Sequence, residues 1–241
     1  MPNPTAAMLV IGDEILSGRT RDANMHHLAE HLALHGVDLR EARVVADDPQ
    51  AIISAVQALS AAYDHVFTSG GIGPTHDDIT AECIARAFDV GFGVRDDARA
   101  ALEKHYEKSG TEMNEARLRM ARIPDGADLI ENPVSGAPGF SLGNVHVMAG
   151  VPRIFEAMVQ SVMPRMTGGT PLVSDTLRCE CGEGDIAIPL GQLANSHPGL
   201  SIGSYPFQGA DGRFGTNIVF RGADADEVAA AKAWLAKLVA P

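Results

Sequence analysis

The sequence predicts an α/β fold with a mostly parallel sheet, followed by a small α+β domain, and three observations carry that prediction. Residues 6–11 are a short, uninterrupted apolar run, the pattern of a strand buried on both faces of a parallel sheet. Through residue 88, helical repeats then alternate with further short apolar runs, giving strand, helix, strand, helix, strand, loop, helix, an order built from right-handed crossovers. Met166-Thr167-Gly168-Gly169-Thr170-Pro171 is small and turn-rich, and divides a first domain over 1–168 from a second over 169–241.

In order, the first strand runs into Gly12-Asp13-Glu14-Ile15-Leu16-Ser17-Gly18, read as a loop that sets two acids just beyond the strand's carboxyl end. That edge is where open α/β sheets bind ligands. Met25, Leu28, Ala29 and Leu32 recur at helical spacing, so 22–35 is a helix stopped by Gly36. His27, His31 and His35 stand four apart beside its apolar stripe with no carboxylate to complete a metal set, and read as a solvent-exposed row. Asn24, near the helix start and the first acidic loop, is a candidate ligand contact, with an ordinary helix-start role as the alternative.

Residues 37–45 form the second strand, and Asp47-Asp48-Pro49 starts a helix over 50–61 with Ile52, Val56 and Leu59 on one face. Residues 64–68 are the third strand and 79–88 the helix after its loop, which places that loop and the first acidic loop on one edge of the sheet. Residues 90–94 are briefly extended, 96–108 and 112–121 are helices, and 123–126 a turn. The loop over 131–139 holds two prolines and two glycines, as binding loops and tight surface connections both do. A hairpin (140–142 and 145–148, turning at Gly143-Asn144) and a helix from Pro152 to about 165 complete the domain. The second domain reads as a strand (172–181), a helix (186–195), strands near 200–205 and 215–221, and a helix (225–239). It holds no catalytic constellation, and Ser204-Tyr205-Pro206-Phe207 is its one conspicuous feature.

Composition bounds the function. With 45% hydrophobic and 21% charged residues the chain has the make-up of an ordinary globular protein. A net charge of -12 without an offsetting basic cluster argues against a nucleic-acid surface. Neither a membrane-length apolar stretch nor a basic leader with an apolar core is present, so a cytoplasmic location is expected. Cys83, Cys179 and Cys181 are too few for a disulfide scaffold, and the last two read as small buried hydrophobes sharing a strand face.

The chemistry concentrates after the third strand, in Thr68-Ser69-Gly70-Gly71-Ile72-Gly73-Pro74-Thr75-His76-Asp77-Asp78. Gly70, Gly71 and Gly73 let the backbone curl with its N–H groups inward, and the next helix adds the positive end of its dipole. Pro74 stiffens this anion cradle, and Asp77-Asp78 place two negative charges on its rim. Carboxylate and phosphate in contact repel by on the order of several kcal/mol in a partly buried site, so the pair points to phosphate with a divalent cation between. The alternative use of either aspartate is to cap the helix. Neither standard nucleotide fingerprint is present, and there is no G-x-S-x-G.

The Gly12 to Gly18 stretch, Gly70 to Asp78 followed by Ile79-Thr80, the Asn132 to Gly139 loop and Gly150-Val151-Pro152 together resemble the molybdopterin-binding domain of molybdenum-cofactor biosynthesis proteins. The branch they resemble is that of CinA-type competence/damage-inducible proteins, over about residues 6–165, and the segment around Ser204-Tyr205-Pro206 is similar to the small domain that follows in that branch. The resemblance implies a three-layer α/β/α fold with the ligand across the strand ends, and a homo-oligomer. In the cofactor-making relatives this site binds a pterin phosphate and adenylylates it with Mg-ATP. The CinA-type branch is associated with metal-dependent hydrolysis of pyrophosphates such as ADP-ribose, and a related domain accompanies eukaryotic FAD synthases.

Carried over by position, Gly70, Gly71, Gly73 and Thr75 would hold phosphate, and Asp78 would be the essential acid, coordinating the metal, magnesium first. Asp77 and Asp13 would support it, Asp13 as a second metal contact, and Ser135, Gly136 and Pro138 would line a second wall. This chain has Ser135-Gly136 where the family commonly has Gly then Thr, and Ala149 where it has Pro. The amide-hydrolysing domain of longer CinA proteins does not follow here, so that activity is expected to be absent. The expected function is a nucleotide pyrophosphatase acting on ADP-ribose or FAD. The alternatives are molybdopterin binding, adenylyl transfer to molybdopterin, and a pterin- or nucleotide-binding module without turnover.

Overall fold

The computed structural model describes residues 2–209 and 212–239. The chain divides into two units, Met1–Gly169 and Thr170–Pro241. The first unit begins with β1 (Thr5–Ile11), α1 (Asp13–Leu16), α2 (Asn24–Leu34), β2 (Asp38–Val45), α3 (Pro49–Ala62), β3 (His65–Ser69) and α4 (Thr80–Ala87). It continues through β4 (Phe92–Val94), α5 (Asp96–Ser109), α6 (Glu115–Leu118), β5 (Arg122–Pro124), β6 (Asp128–Ile130), β7 (Gly139–Leu142), β8 (Val145–Met148) and α7 (Pro152–Val162).

Six strands form one sheet in the order β2-β1-β3-β8-β7-β6. The first four run parallel, and β7 and β6 extend the sheet antiparallel. Alternation along β1 explains the three layers. Ala7, Leu9 and Ile11 pack with α3, α4 and α5, whereas Ala6, Met8 and Val10 pack on the opposite face with α2 and α7. A strand covered on both sides has no polar face, hence its continuous apolar run. Each fully buried large side chain, such as Leu28 of α2 or Phe155 of α7, contributes about 1.5–3 kcal/mol.

Several local features differ from the sequence expectations. Asp13–Leu16 is a single helical turn, not an open loop. The helix expected over 112–121 is broken into α6 and a 3-10 turn, Arg119–Ala121, because the chain must swing into β5. Strand β6 carries no readable pattern in three residues and exists through its pairing with β7. The helix expected to reach 165 ends at Val162 and tightens into a 3-10 turn containing Pro164, which lacks an N–H to continue it. The histidine row is not solvent-exposed either. His27, His31 and His35 are half-buried, with the His27 and His31 rings 4.0 Å apart. Burial, reinforced by His31, lowers the His27 pKa.

The second unit contains β9 (Val173–Cys179), α8 (Glu183–Ser196), β10 (Ser201–Gln208), β11 (Phe214–Gly222) and α9 (Ala225–Leu238). Its antiparallel sheet, β10-β11-β9, shares a core with both helices through Ile186, Leu193, Ile218, Phe220 and Leu235. Cys179 is buried there, whereas Cys181 lies half-buried beyond the end of β9, so the two do not share a strand face. Among the described residues no helix is long and apolar enough to cross a membrane.

At the opening end of β3 lies a buried polar chain. His146 of β8 is 8% exposed. Its Nδ1 sits 2.8 Å from the Ser141 hydroxyl and its Nε2 3.3 Å from His65 Nδ1. Burial, then His65, pushes its pKa down to about 4. The folded protein therefore holds His146 neutral where the unfolded chain, titrating near 6.5, is already protonated. The stabilisation is present above pH 6.5 and is lost as pH falls toward 4. Between pH 7 and pH 5 urea unfolding is expected to show a loss of about 2 kcal/mol from this group, and His146→Gln should flatten that acid limb. An unchanged slope in the variant would remove His146 as its source.

Candidate functional site

The carboxyl ends of β1, β3 and β8 open onto a cleft of about 650 Å³, lined in part by Gly12, Glu14, Gly71, Asp78, Ser135 and Gly150. Its floor is the turn after β3. Gly70 has φ +111, and a Cβ there would lie 2.1 Å from the Ile11 carbonyl oxygen. Gly71 has φ +68, and a Cβ there would lie 2.1 Å from the Thr80 hydroxyl. Glycine thus lets the turn wedge between the tip of β1 and the start of α4. The Gly70 N–H donates to the Met148 carbonyl at 3.1 Å, so Gly70 shapes the cradle without supplying a donor, a correction to its expected role. Thr80 N–H donates to the Gly71 carbonyl at 3.0 Å and closes the turn. Among the described residues, the amides of Gly71, Ile72 and Gly73 donate to no protein group. Three free N–H groups on a curled backbone are chemically able to donate to an anionic oxygen.

Thr75 is arranged otherwise than expected. Its N–H and its hydroxyl both donate to Asp78 Oδ2, at 2.8 and 2.5 Å. Thr75 is exposed and is not among the residues lining the cleft, so it fixes Asp78 and does not offer itself to phosphate. The N-cap of α4 is Ile79, with no side-chain cap, so neither Asp77 nor Asp78 serves as a cap. Both aspartates line the cleft.

Asp47 and Glu14 join Asp77 and Asp78 in the lining. Asp13 does not. It is exposed, and its N–H donates to Asp47 Oδ2 at 2.9 Å. Burial above all raises the Asp47 pKa, the Asp13 N–H opposes it, and the charges of Asp13, Glu14 and Asp77 raise it further. By its sequence alone Asp47 marks only a helix start. Its place just beyond the carboxyl end of β2, on the same edge as Gly12, was the signal available.

The second wall is built around Asn132. Its Nδ2 donates to Ser135 Oγ at 2.6 Å and to the Ala137 carbonyl at 2.8 Å, while its Oδ1 accepts from the amides of Val134 and Ser135. This places Ser135 in the cleft. Gly136, at φ +75, instead packs on α5, where a Cβ would lie 2.3 Å from His105 Cβ. Pro138 lines a smaller adjoining cavity. Asn24 is buried and does not line the cleft. It donates to Ser69 Oγ at 2.7 Å and to the Gly150 carbonyl at 2.8 Å, tying the end of β3 to the entry of α7. Tyr106 and Met120 also line the cleft, brought there by long-range topology without a local signal.

Comparison with known proteins agrees with this architecture. Residues 7–168 match the family described as "Probable molybdopterin binding domain", and residues 171–241 match "FAD synthase, middle domain". A "Probable FAD synthase" of Caenorhabditis elegans is 37% identical over 227 residues, covering 84% of this chain and 44% of its own. A "CinA-like protein" of Citrifermentans bemidjiense is 39% identical over 167 residues, covering 67% of this chain and 40% of its own. This chain therefore spans less than half the length of either relative. The crystal structure of a CinA protein of unknown function from Thermoplasma acidophilum is 34% identical, with a TM-score of 0.62, covering 68% of this chain and 99% of that one.

Proposed function

The chain belongs to the molybdopterin-binding domain family, in its CinA-like branch, and on that premise we propose that the cleft binds a nucleotide diphosphate of the ADP-ribose or FAD type and cleaves its diphosphate linkage with the help of a divalent cation. One observation carries the reading. The three free amides of Gly71, Ile72 and Gly73 stand beside four lining carboxylates, with no Lys or Arg in the lining of the cleft. Amides alone would leave a phosphate facing uncompensated negative charge.

The donor set fits magnesium. Among the described residues no three His, Cys, Asp or Glu converge on one point, so a fully protein-ligated cation is not provided for. Magnesium takes one or two carboxylates and completes its shell with phosphate oxygens and water. Asp78 would hold it together with Asp47, whose carboxylate the Asp13 N–H orients. Such a cation supplies neutralisation of phosphoryl charge and a bound water that ionises more easily. The amides of Gly71, Ile72 and Gly73 would grip the phosphoryl oxygens and strengthen their hold as charge grows there. Ser135 would bound the ligand from the opposite wall.

The second unit's match to the FAD synthase middle domain supports trying FAD beside ADP-ribose. With magnesium, chromatography is expected to show AMP with ribose 5-phosphate from ADP-ribose, or AMP with FMN from FAD. Chelation with EDTA should cut turnover at least about 100-fold, and added magnesium should restore it. Absence of AMP with magnesium, manganese or cobalt would overturn the proposal. AMP transfer that requires a pterin acceptor would replace hydrolysis with adenylyl transfer.

A further inference from the structure

We infer that Arg119 binds the second phosphate of the ligand, so that the site selects a diphosphate over a monophosphate. This deepens the proposed function and rests on the cleft being a phosphate site. The turn and Asp78 border two spaces at once, because the adjoining cavity shares Ile72, Gly73, Asp78 and Met120 with the cleft. The cleft, at about 650 Å³, has room for a nucleoside. The adjoining cavity, at about 20 Å³, has room for about one oxygen-sized group.

The two spaces also differ in where cationic side chains stand. No Lys or Arg lines the cleft, whereas Arg119 and Arg122 line the smaller cavity together with the carboxylates of Asp78 and Glu82, so only there does positive charge meet the turn. Arg122 is already engaged, its guanidinium over the Phe92 ring at 4.4 Å and 3.8 Å from Glu82. Arg119 is exposed, and among the described residues its guanidinium has neither an ion pair nor a hydrogen bond. Its backbone is nonetheless fixed. The 3-10 turn Arg119–Ala121 ends in a fully buried alanine whose carbonyl accepts from the Arg95 N–H at 3.0 Å. Asp78 does not compete for the guanidinium with its Oδ2, which Thr75 occupies twice.

A free guanidinium on an anchored turn, next to an oxygen-sized space bordered by Gly73, suits a phosphate oxygen because it donates charge-assisted hydrogen bonds from a permanent, planar cation. One phosphate on the Gly71 to Gly73 amides would satisfy a monophosphate. A second phosphate extending past Gly73 would enter the space that Arg119 lines.

The test is isothermal titration of the full chain with ADP and with AMP, magnesium present, for wild type, Arg119→Met and Arg119→Lys. Arg119→Met keeps the apolar stem and is expected to weaken ADP binding about tenfold while changing AMP binding less than about twofold. Arg119→Lys, retaining charge without the fork, should recover part of the loss. The ligand-free melting temperature of both variants should match wild type. Equal losses for ADP and AMP, or no loss for either, would overturn the assignment. Wild type that binds neither nucleotide would overturn both this inference and the proposed function. Binding of ADP that depends on Arg119, without cleavage of ADP-ribose or FAD, would uphold the inference and defeat the proposed reaction alone.

Discussion

Gly70→Ala is expected to lower the unfolding free energy by about 3 kcal/mol or more, seen as a marked fall in the urea midpoint with an unchanged slope. Two penalties combine. A side chain at φ +111 is strained, by about 1–3 kcal/mol for such backbone positions. The added carbon would also stand 2.1 Å from the Ile11 carbonyl oxygen. That oxygen belongs to the central sheet, so relief requires β1 or the turn to move, and overpacking of this kind costs about 1–3 kcal/mol more. Gly18 is the control. At φ +72 it has nothing within 4 Å of the same position, so Gly18→Ala carries the backbone strain without the collision. If both variants lose the same stability, the wedge at Ile11 is not what makes Gly70 necessary.

Asp78→Asn is expected to reduce hydrolysis about 10²–10³-fold while leaving the fold close to intact, a split that separates charge from shape. An asparagine keeps an acceptor oxygen for the Thr75 N–H and hydroxyl, so the local turn persists. What disappears is the negative charge that would hold a cation beside the free amides. Steady-state turnover of ADP-ribose or FAD, alongside thermal unfolding of the same preparation, reads both. Turnover equal to wild type would remove Asp78 from the chemistry, and a large fall in melting temperature would recast it as a structural residue.

Much of the first unit was legible because burial on two faces leaves an unmistakable record, as β1 shows with six apolar residues in succession. The glycine turn was legible for a related reason: three glycines in four positions signal an unusual backbone, and Gly70 and Gly71 do adopt positive φ. Its division of labour was not legible. Which amide joins the sheet and which stays free depends on the Met148 carbonyl of a strand far along the chain. The same limit hid Asp47, since a Asp-Asp-Pro sequence starts α3 whether or not its first acid reaches the cleft, and Asp48 does accept the capping bond from Ala51. Gly136 and Asn24 show the converse. Each sits at a suggestive place in the sequence, yet packing against His105 uses the first and the Ser69 and Gly150 bridge uses the second.

The bonds from Thr80 to Gly71 and from Thr75 to Asp78 close the turn upon itself before any guest arrives. If the proposed phosphate site is right, a main chain preset in this way would receive a phosphoryl group with little rearrangement, leaving encounter as the slower part. With a molecular charge of -12 and a carboxylate rim, that encounter is uphill for a bare anion and easier for one that arrives already partnered with its counterion.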